Sequence, residues 1–286
     1  MRRIVVTEEK PAVIMTGIQP EFEREGIVID GGEIIIIRKG WIKLGINYRT
    51  VEQPEGSVTV LYPGDIVMVE DHSDDAELEY LIFLNAIVQE ALSGLPDVHL
   101  KAVQQVRCIS SAIVRKVADA FLAIISSSMG ILTPKDFHSL MIMQIRSFFT
   151  LWQAALIAKG YDVDSYRSHQ DELFARFLRL LSEHVQTSRA AAFYADKLNI
   201  TTKYLTFIVR KHAQRSTKTA IDEYAILKLR QQLLANDTPV NELAWQWHFA
   251  TPSHFCEYFK RLSGSTPQAF RTNHSYRNSA ASEKTT

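Results

Sequence analysis

Thr251-Pro-Ser-His-Phe-Cys-Glu-Tyr-Phe-Lys-Arg-Leu-Ser-Gly-Ser-Thr-Pro-Gln-Ala-Phe-Arg271 is the stretch that decides how this chain is read. Thr251 can cap a helix, and Pro252 suits the first helical position, where its missing N–H is no loss. Phe255, Tyr258 and Phe259 recur at three and four residues, so one face of a helix over 252–262 turns inward. Just upstream, Pro239 to Trp247 reads as a short helix with Ala244 at its middle, started by Thr238-Pro239. His248-Phe249-Ala250-Thr251 is the turn between the two helices. A small residue lets two helices cross closely, and a short turn sets their angle, so the pair reads as a helix-turn-helix.

The same pattern occurs once more. Ala190 to Leu198 is a short helix centred on Ala195, Asn199-Ile200-Thr201 is a turn, and Thr202 to His212 is a second helix with Leu205, Ile208 and Val209 inward. Between the copies, Thr219 to Leu234 carries Ile221, Ala225, Leu229 and Leu233 on one face. It reads as one helix of about 15 residues, or about 22 Å. Such a rod can hold two outward helices in register, and adjacent major-groove turns lie about 34 Å apart.

Charge agrees with this reading once it is taken by region. The 286 residues hold 32 basic and 32 acidic side chains, a neutral sum. Residues 1–95 carry a net −9, residues 96–167 a net +3 and residues 168–286 a net +6. A basic C-terminal third beneath a neutral total is an electrostatic asymmetry that fits nucleic acid. A chain 46% hydrophobic and 22% charged is globular. Two cysteines, Cys108 and Cys256, make no disulfide framework and imply a reducing compartment. The N-terminus has no apolar h-region. Leu140 to Ala158 carries Gln144, Arg146 and Gln153, too short and polar to span a bilayer. A cytoplasmic protein without a membrane partner is the expectation.

Residues 1–97 read as a strand domain. Short β-branched runs (27–29, 34–37, 41–46, 58–62, 66–69 and 80–84) alternate with Gly and Pro turns such as Pro63-Gly64-Asp65. From about Val98 the period becomes helical: Val103, Val106, Ile109, Ile113, Val117, Phe121, Ile124 and Ile125 fall on one face. Thr133-Pro134 starts a second helix whose stripe is Phe137, Leu140, Met141, Ile145, Phe148, Phe149, Trp152 and Leu156, and Lys159-Gly160 ends it. Residues 98–165 are therefore a helical segment with room for a partner subunit, ending in a polar linker over 161–170. A domain of 166–274 and a disordered tail of 275–286 complete the division, an α+β chain with a β N-terminal and an all-α C-terminal domain.

The runs Leu229-Arg-Gln-Gln-Leu-Leu, Glu242-Leu-Ala and 253–271 resemble the signature of the AraC/XylS family of bacterial transcription regulators. The resemblance covers roughly 170–272 well and 1–165 more loosely, where a cupin-like domain and a helical dimerisation segment match the usual companion. It implies sequence-specific binding of double-stranded DNA by a homodimer, contact with RNA polymerase in an activator, and a small effector in the N-terminal domain. Carried over by position, the base-edge candidates are Lys203, Tyr204, Thr206 and Phe207 in the first copy and Pro252, Ser253, His254 and Glu257 in the second. Thr202, Arg210, Lys211, Thr251, Lys260 and Arg261 are the phosphate candidates. Trp245 and Trp247 are read as packing residues. Where the family often has glycine, Gln214 and His248 stand instead, while Gly264 is kept. A side chain at positive φ costs on the order of 1 kcal/mol.

Other chemistries find less support. The strand region has only His72 before His99, so the cupin metal set of two close His, a Glu and a later His is missing. His138, His169 and His184 are dispersed, and no phosphate loop or nucleophile-base set stands out. The chain is thus expected to be no enzyme and to carry no cofactor or metal. The rival readings are a cupin-type enzyme with a helical appendage and a metal-free cupin-like protein–protein adaptor. Ile34, Ile36, Trp41, Leu61 and Phe83 can either line an effector cavity or fill the core.

Overall fold

The computed structural model describes residues 6–7, 10–18, 26–93, 95, 106–161, 168–235 and 237–273. Two compact units divide the described chain, one reaching His169 and the other beginning at Gln170. The tail 275–286, Val103 and most of the expected 161–170 linker lie outside the described residues.

Among the described residues the N-terminal unit has nine strands: β1 (Ala12–Thr16), β2 (Ile27–Val28), β3 (Gly32–Lys39), β4 (Trp41–Ile46), β5 (Arg49–Pro54), β6 (Ser57–Leu61), β7 (Ile66–His72), β8 (Glu77–Phe83) and β9 (Cys108–Ser110). They form two antiparallel sheets, ordered β1-β8-β3-β6-β9 and β2-β7-β4-β5. Asn47 and Tyr48, both at positive φ (50° and 68°), join β4 to β5 as a two-residue hairpin whose twist suits the flanking strands.

Strand β3 is buried on both faces. Ile35 and Ile37 face the second sheet, meeting Ile42, Leu44, Ile46, Val67 and Val69. Ile34 and Ile36 face the other way, onto three helices: α1 (Asn85–Ser93), α2 (Ala112–Ser128) and α3 (Pro134–Ala158). The five residues read either as cavity lining or as core filling are divided. Ile34, Ile36 and Phe83 belong to the helix-facing core, Leu61 to the core between the sheets, and Trp41 is half-buried.

Helix α3 begins as its sequence suggests: the Thr133 hydroxyl accepts from the Asp136 N–H (3.2 Å), and Pro134 takes the first position. By length and composition it could cross a membrane, yet Phe148, Phe149, Trp152 and Leu156 are buried in the helix-facing core. Helices α2 and α3 share that core with the sheet, so the 98–165 segment is part of the first unit.

The helical reading from Val98 needs correction. Ile109 lies in β9, paired with Val58 of β6. Just before it, Arg107 grips the Asp65 carboxylate with both terminal nitrogens (2.9 and 3.0 Å) and lies over the Tyr62 ring at 4.4 Å. This bidentate pair fastens the segment to the Pro63-Gly64-Asp65 turn, so it pairs as a strand. On α2 the buried stripe is Val114, Ala118, Phe121, Leu122 and Ile125, while Ile113 and Ile124 point outward. Strands β1, β5 and β9 and helix α1 extend the architecture beyond the runs read above.

Candidate nucleic-acid interface

The described elements of the C-terminal unit are all helices: α4 (His169–His184), α5 (Ala191–Lys197), α6 (Thr202–Ala213), α7 (Thr217–Ala235), α8 (Val240–Gln246) and α9 (Pro252–Ser263). Residues 267–273 are helical as well. The central rod is longer than its periodicity implied. Nineteen residues make α7 about 28 Å long. It buries Ala220, Ile221, Tyr224, Ala225, Ile226, Leu227, Leu229 and Leu233, more than one stripe, because other helices surround it.

The two helix-turn-helix pairs, α5–α6 and α8–α9, repeat each other atom by atom at their turns. Ala195 and Ala244 are both buried. Ile200 N–H donates to the Ala195 carbonyl and Phe249 N–H to the Ala244 carbonyl, each at 3.0 Å. Asn199 and His248 occupy the left-handed region at φ 55° and 52°. Thr201 then caps α6 by accepting from Tyr204 N–H, and Thr251 caps α9 by accepting from His254 N–H, each at 3.2 Å. Both outward helices end in a left-handed residue, Gln214 at φ 54° and Gly264 at φ 80°. The replacements at Gln214 and His248 thus keep the backbone geometry and accept its strain. The expected Thr238-Pro239 start shifts by one place. Pro239 is itself the cap residue of α8, and no side chain caps that end.

Leu205, Ile208 and Val209 hold α6 to its unit, and Phe255 and Phe259 hold α9. What remains outside is the candidate surface. On α6, Thr202, Lys203, Thr206, Phe207, Arg210 and Lys211 are exposed and Tyr204 is half-buried. Tyr204 and Phe207 stack nearly parallel, their centroids 6.2 Å apart. On α9, Ser253, His254, Glu257, Lys260 and Arg261 are exposed, with Thr251 ahead of them, and Pro252 is half-buried.

Several of these side chains have prior engagements. The Thr206 hydroxyl donates to the Thr202 carbonyl (2.9 Å). Lys211 Nζ donates to Gln170 Oε1 (2.7 Å). Arg261 stands 3.6 Å from Asp222, whose carboxylate also takes Lys218 Nζ (2.6 Å) and the Tyr258 hydroxyl (2.7 Å). Burial pushes the Tyr258 hydroxyl far above its usual pKa, and the bond to Asp222 holds its proton further. Among the described residues, Lys203, Arg210, Glu257 and Lys260 make no ion pair, so their charges face solvent.

Both tryptophans were expected to pack, but only Trp247 does. It is buried and donates its indole N–H to Gln232 Oε1 (2.6 Å), whereas Trp245 is 55% exposed. Arg189 carries no signature of its own in the sequence, yet it reaches the second turn, where it donates to the Trp247 carbonyl. Among the described residues no group of His, Cys, Asp and Glu is gathered closely enough to hold a metal ion. His138 instead pairs with Glu90 (2.8 Å).

A helix-turn-helix domain model matches residues 194–273. No curated protein matches the chain in sequence. Among solved structures, ToxT from Vibrio cholerae is similar along nearly the whole length. One ToxT structure is 13% identical, covers 92% of this chain and 98% of its own, and superposes with a TM-score of 0.53. A second, described as wild-type ToxT with bound unsaturated fatty acid, is 14% identical, covers 93% and 97%, and has a TM-score of 0.52. At such identity the likeness is one of fold: a β-sheet domain followed by a helical one. Two capped helix-turn-helix pairs on a central helix, carrying the 253–271 signature, agree with the helix-turn-helix domain matched over 194–273.

Proposed function

We propose that the chain acts as a dimer on promoter DNA, each C-terminal unit placing α6 and α9 in successive major-groove turns. The observation that carries this reading is the repeated, capped turn frame with solvent-facing cations on both outward helices. Lys203, Tyr204, Thr206 and Phe207 on α6, and Pro252, Ser253, His254 and Glu257 on α9, are positioned to meet base edges. Thr202, Arg210, Lys211, Thr251, Lys260 and Arg261 are assigned to phosphates, which set affinity and salt dependence. The exposed apolar side chains Met143, Leu151 and Ile157 of α3 form the proposed dimer surface. Contact with RNA polymerase from a cytoplasmic activator completes the reading.

The unsaturated fatty acid in the similar ToxT structure supports an effector role for the N-terminal unit. The space between the two sheets is packed with side chains, so we place the effector in the open groove of about 490 Å³ lined by Val13, Ile14, Leu122 and Met129, with Lys10 beside them and Arg38 held there by Glu79 and Asp119. The decisive experiment is genome-wide mapping of bound sites, followed by gel-shift on those fragments at two salt concentrations. A shared motif bound with a steep salt slope is expected. Binding with no preference at any salt would sink the proposal and favour the adaptor.

A further inference from the structure

We infer that Arg189 sets the register between the two helix-turn-helix units, and with it the spacing of the two DNA segments they read. The inference rests on the DNA-binding reading of this domain.

Arg189 stands in the loop between α4 and α5, on the first unit's side. Its Nη1 donates to the Trp247 carbonyl at 3.0 Å, in the turn of the second unit. The same nitrogen lies 3.4 Å from the Val185 carbonyl and 3.3 Å from the Gln186 carbonyl, just past the end of α4. One guanidinium thus joins carbonyls at the C-terminal ends of two helices, α4 and α8. Those ends carry the negative pole of each helix, where a fixed cation is favourable. The guanidinium carbon lies 4.3 Å from the centre of the Phe249 ring and 5.8 Å from that of Tyr258. Burial pulls its pKa below that of ordinary arginine, opposed by Tyr258, Tyr194 and Asp222. An arginine remains charged under such a pull.

Both sides of this joint are stiff. On the first side, the buried Tyr194 donates its hydroxyl to the Ser188 carbonyl at 2.6 Å, fixing the loop that carries Arg189. On the second, Phe249 packs at 5.3 Å against both Phe255 and Tyr258 of α9. The other ties of the second unit lead to α7: Trp247 to Gln232 and Tyr258 to Asp222. Arg189 adds an attachment from the α4–α5 loop, as a strut braces a hinge. Removing it leaves both recognition helices folded but free to swing about α7.

Two measurements test this. In full-length protein carrying Cys108→Ser and Cys256→Ser, spin labels at Lys203→Cys and Ser253→Cys report the distance between the starts of α6 and α9. One narrow distribution is expected, and Arg189→Met should broaden it to about twice the width. The second measurement uses sites selected from random duplexes, re-spaced by one base pair between their two halves. The unaltered protein should lose about tenfold or more on re-spacing, whereas Arg189→Met should lose under threefold, because a stiff link turns the second contact into a local event only at one spacing. Binding to a duplex holding one half alone should be unchanged within twofold. Arg189→Lys keeps the charge without the planar stack, so it should fall between the two. If Arg189→Met does not fold, Arg189→Lys and Phe249→Leu carry the same readouts. Unchanged label distances together with an unchanged spacing penalty would overturn the inference. If no duplex is selected at all, the DNA-binding reading fails, while the label distances still decide the strut.

Discussion

The two helix-turn-helix pairs share one backbone frame and differ in nearly everything hung on it. The first has an aliphatic core of Leu205, Ile208 and Val209 and an outward face rich in cations and aromatics, with Lys203, Phe207 and Arg210 exposed. The second has an aromatic core of Trp247, Phe255 and Phe259 and a face of Ser253, His254 and Glu257 followed by Lys260 and Arg261. The frame needs a small residue at the crossing, a left-handed turn residue and a hydroxyl cap. Everything else is free to diverge. On the DNA-binding reading, α6 turns the more cationic face to the duplex, while Glu257 gives α9 a carboxylate that repels phosphate but can accept from a cytosine amine.

That contrast can be broken in four ways, the largest effect coming first. Phe255→Ala should cost about 3–5 kcal/mol of stability, more than Val209→Ala, because an aromatic ring leaves the larger void. Equal denaturation midpoints for the two variants would show that both cores bear equal load. His254→Ala should relax preference at one base position by about 1–3 kcal/mol of discrimination, read in a binding-site selection. A profile that stays flat relative to the unaltered protein would move discrimination elsewhere. Arg210→Ala should weaken binding to every sequence alike and lower the salt slope by about one. A sequence-selective loss instead would make it a base reader. Last, Gln214→Gly should stabilise the protein by on the order of 1 kcal/mol, and Gly264→Ala should destabilise it by a similar amount, because both positions sit at positive φ. Matching thermal shifts of opposite sign would show the two caps to be equivalent.

What could be read in advance was local in sequence. Thr251-Pro252, Thr133-Pro134 and the recurrence of Phe255 and Phe259 announce helices because a cap and a face need only a few neighbouring residues. Strand β9 escaped because Ile109 also fits a helical stripe, and what makes it a strand is Arg107 meeting an aspartate 42 residues earlier. Strand β5 escaped because its residues are mostly exposed and polar, with Gln53 the buried one. At the interface, Lys203, Arg210 and Lys260 could be named from the motif, and they do face solvent. Arg189 could not, since its partner carbonyl lies 58 residues away. The exposure of Trp245 was hidden for the opposite reason: its neighbour Trp247, two residues on, takes the buried place.

Strand β3 has a consequence of its own. Because Ile34 and Ile36 serve one core while Ile35 and Ile37 serve the other, no residue of that run offers a neutral place for change. A local opening there must expose both layers at once, so its cost approaches that of unfolding the whole unit. The amides of Ile34 to Ile37 should be the slowest of the N-terminal unit to exchange with deuterium. Variation among related chains should gather on β5 and the loops, leaving this strand as a fixed partition.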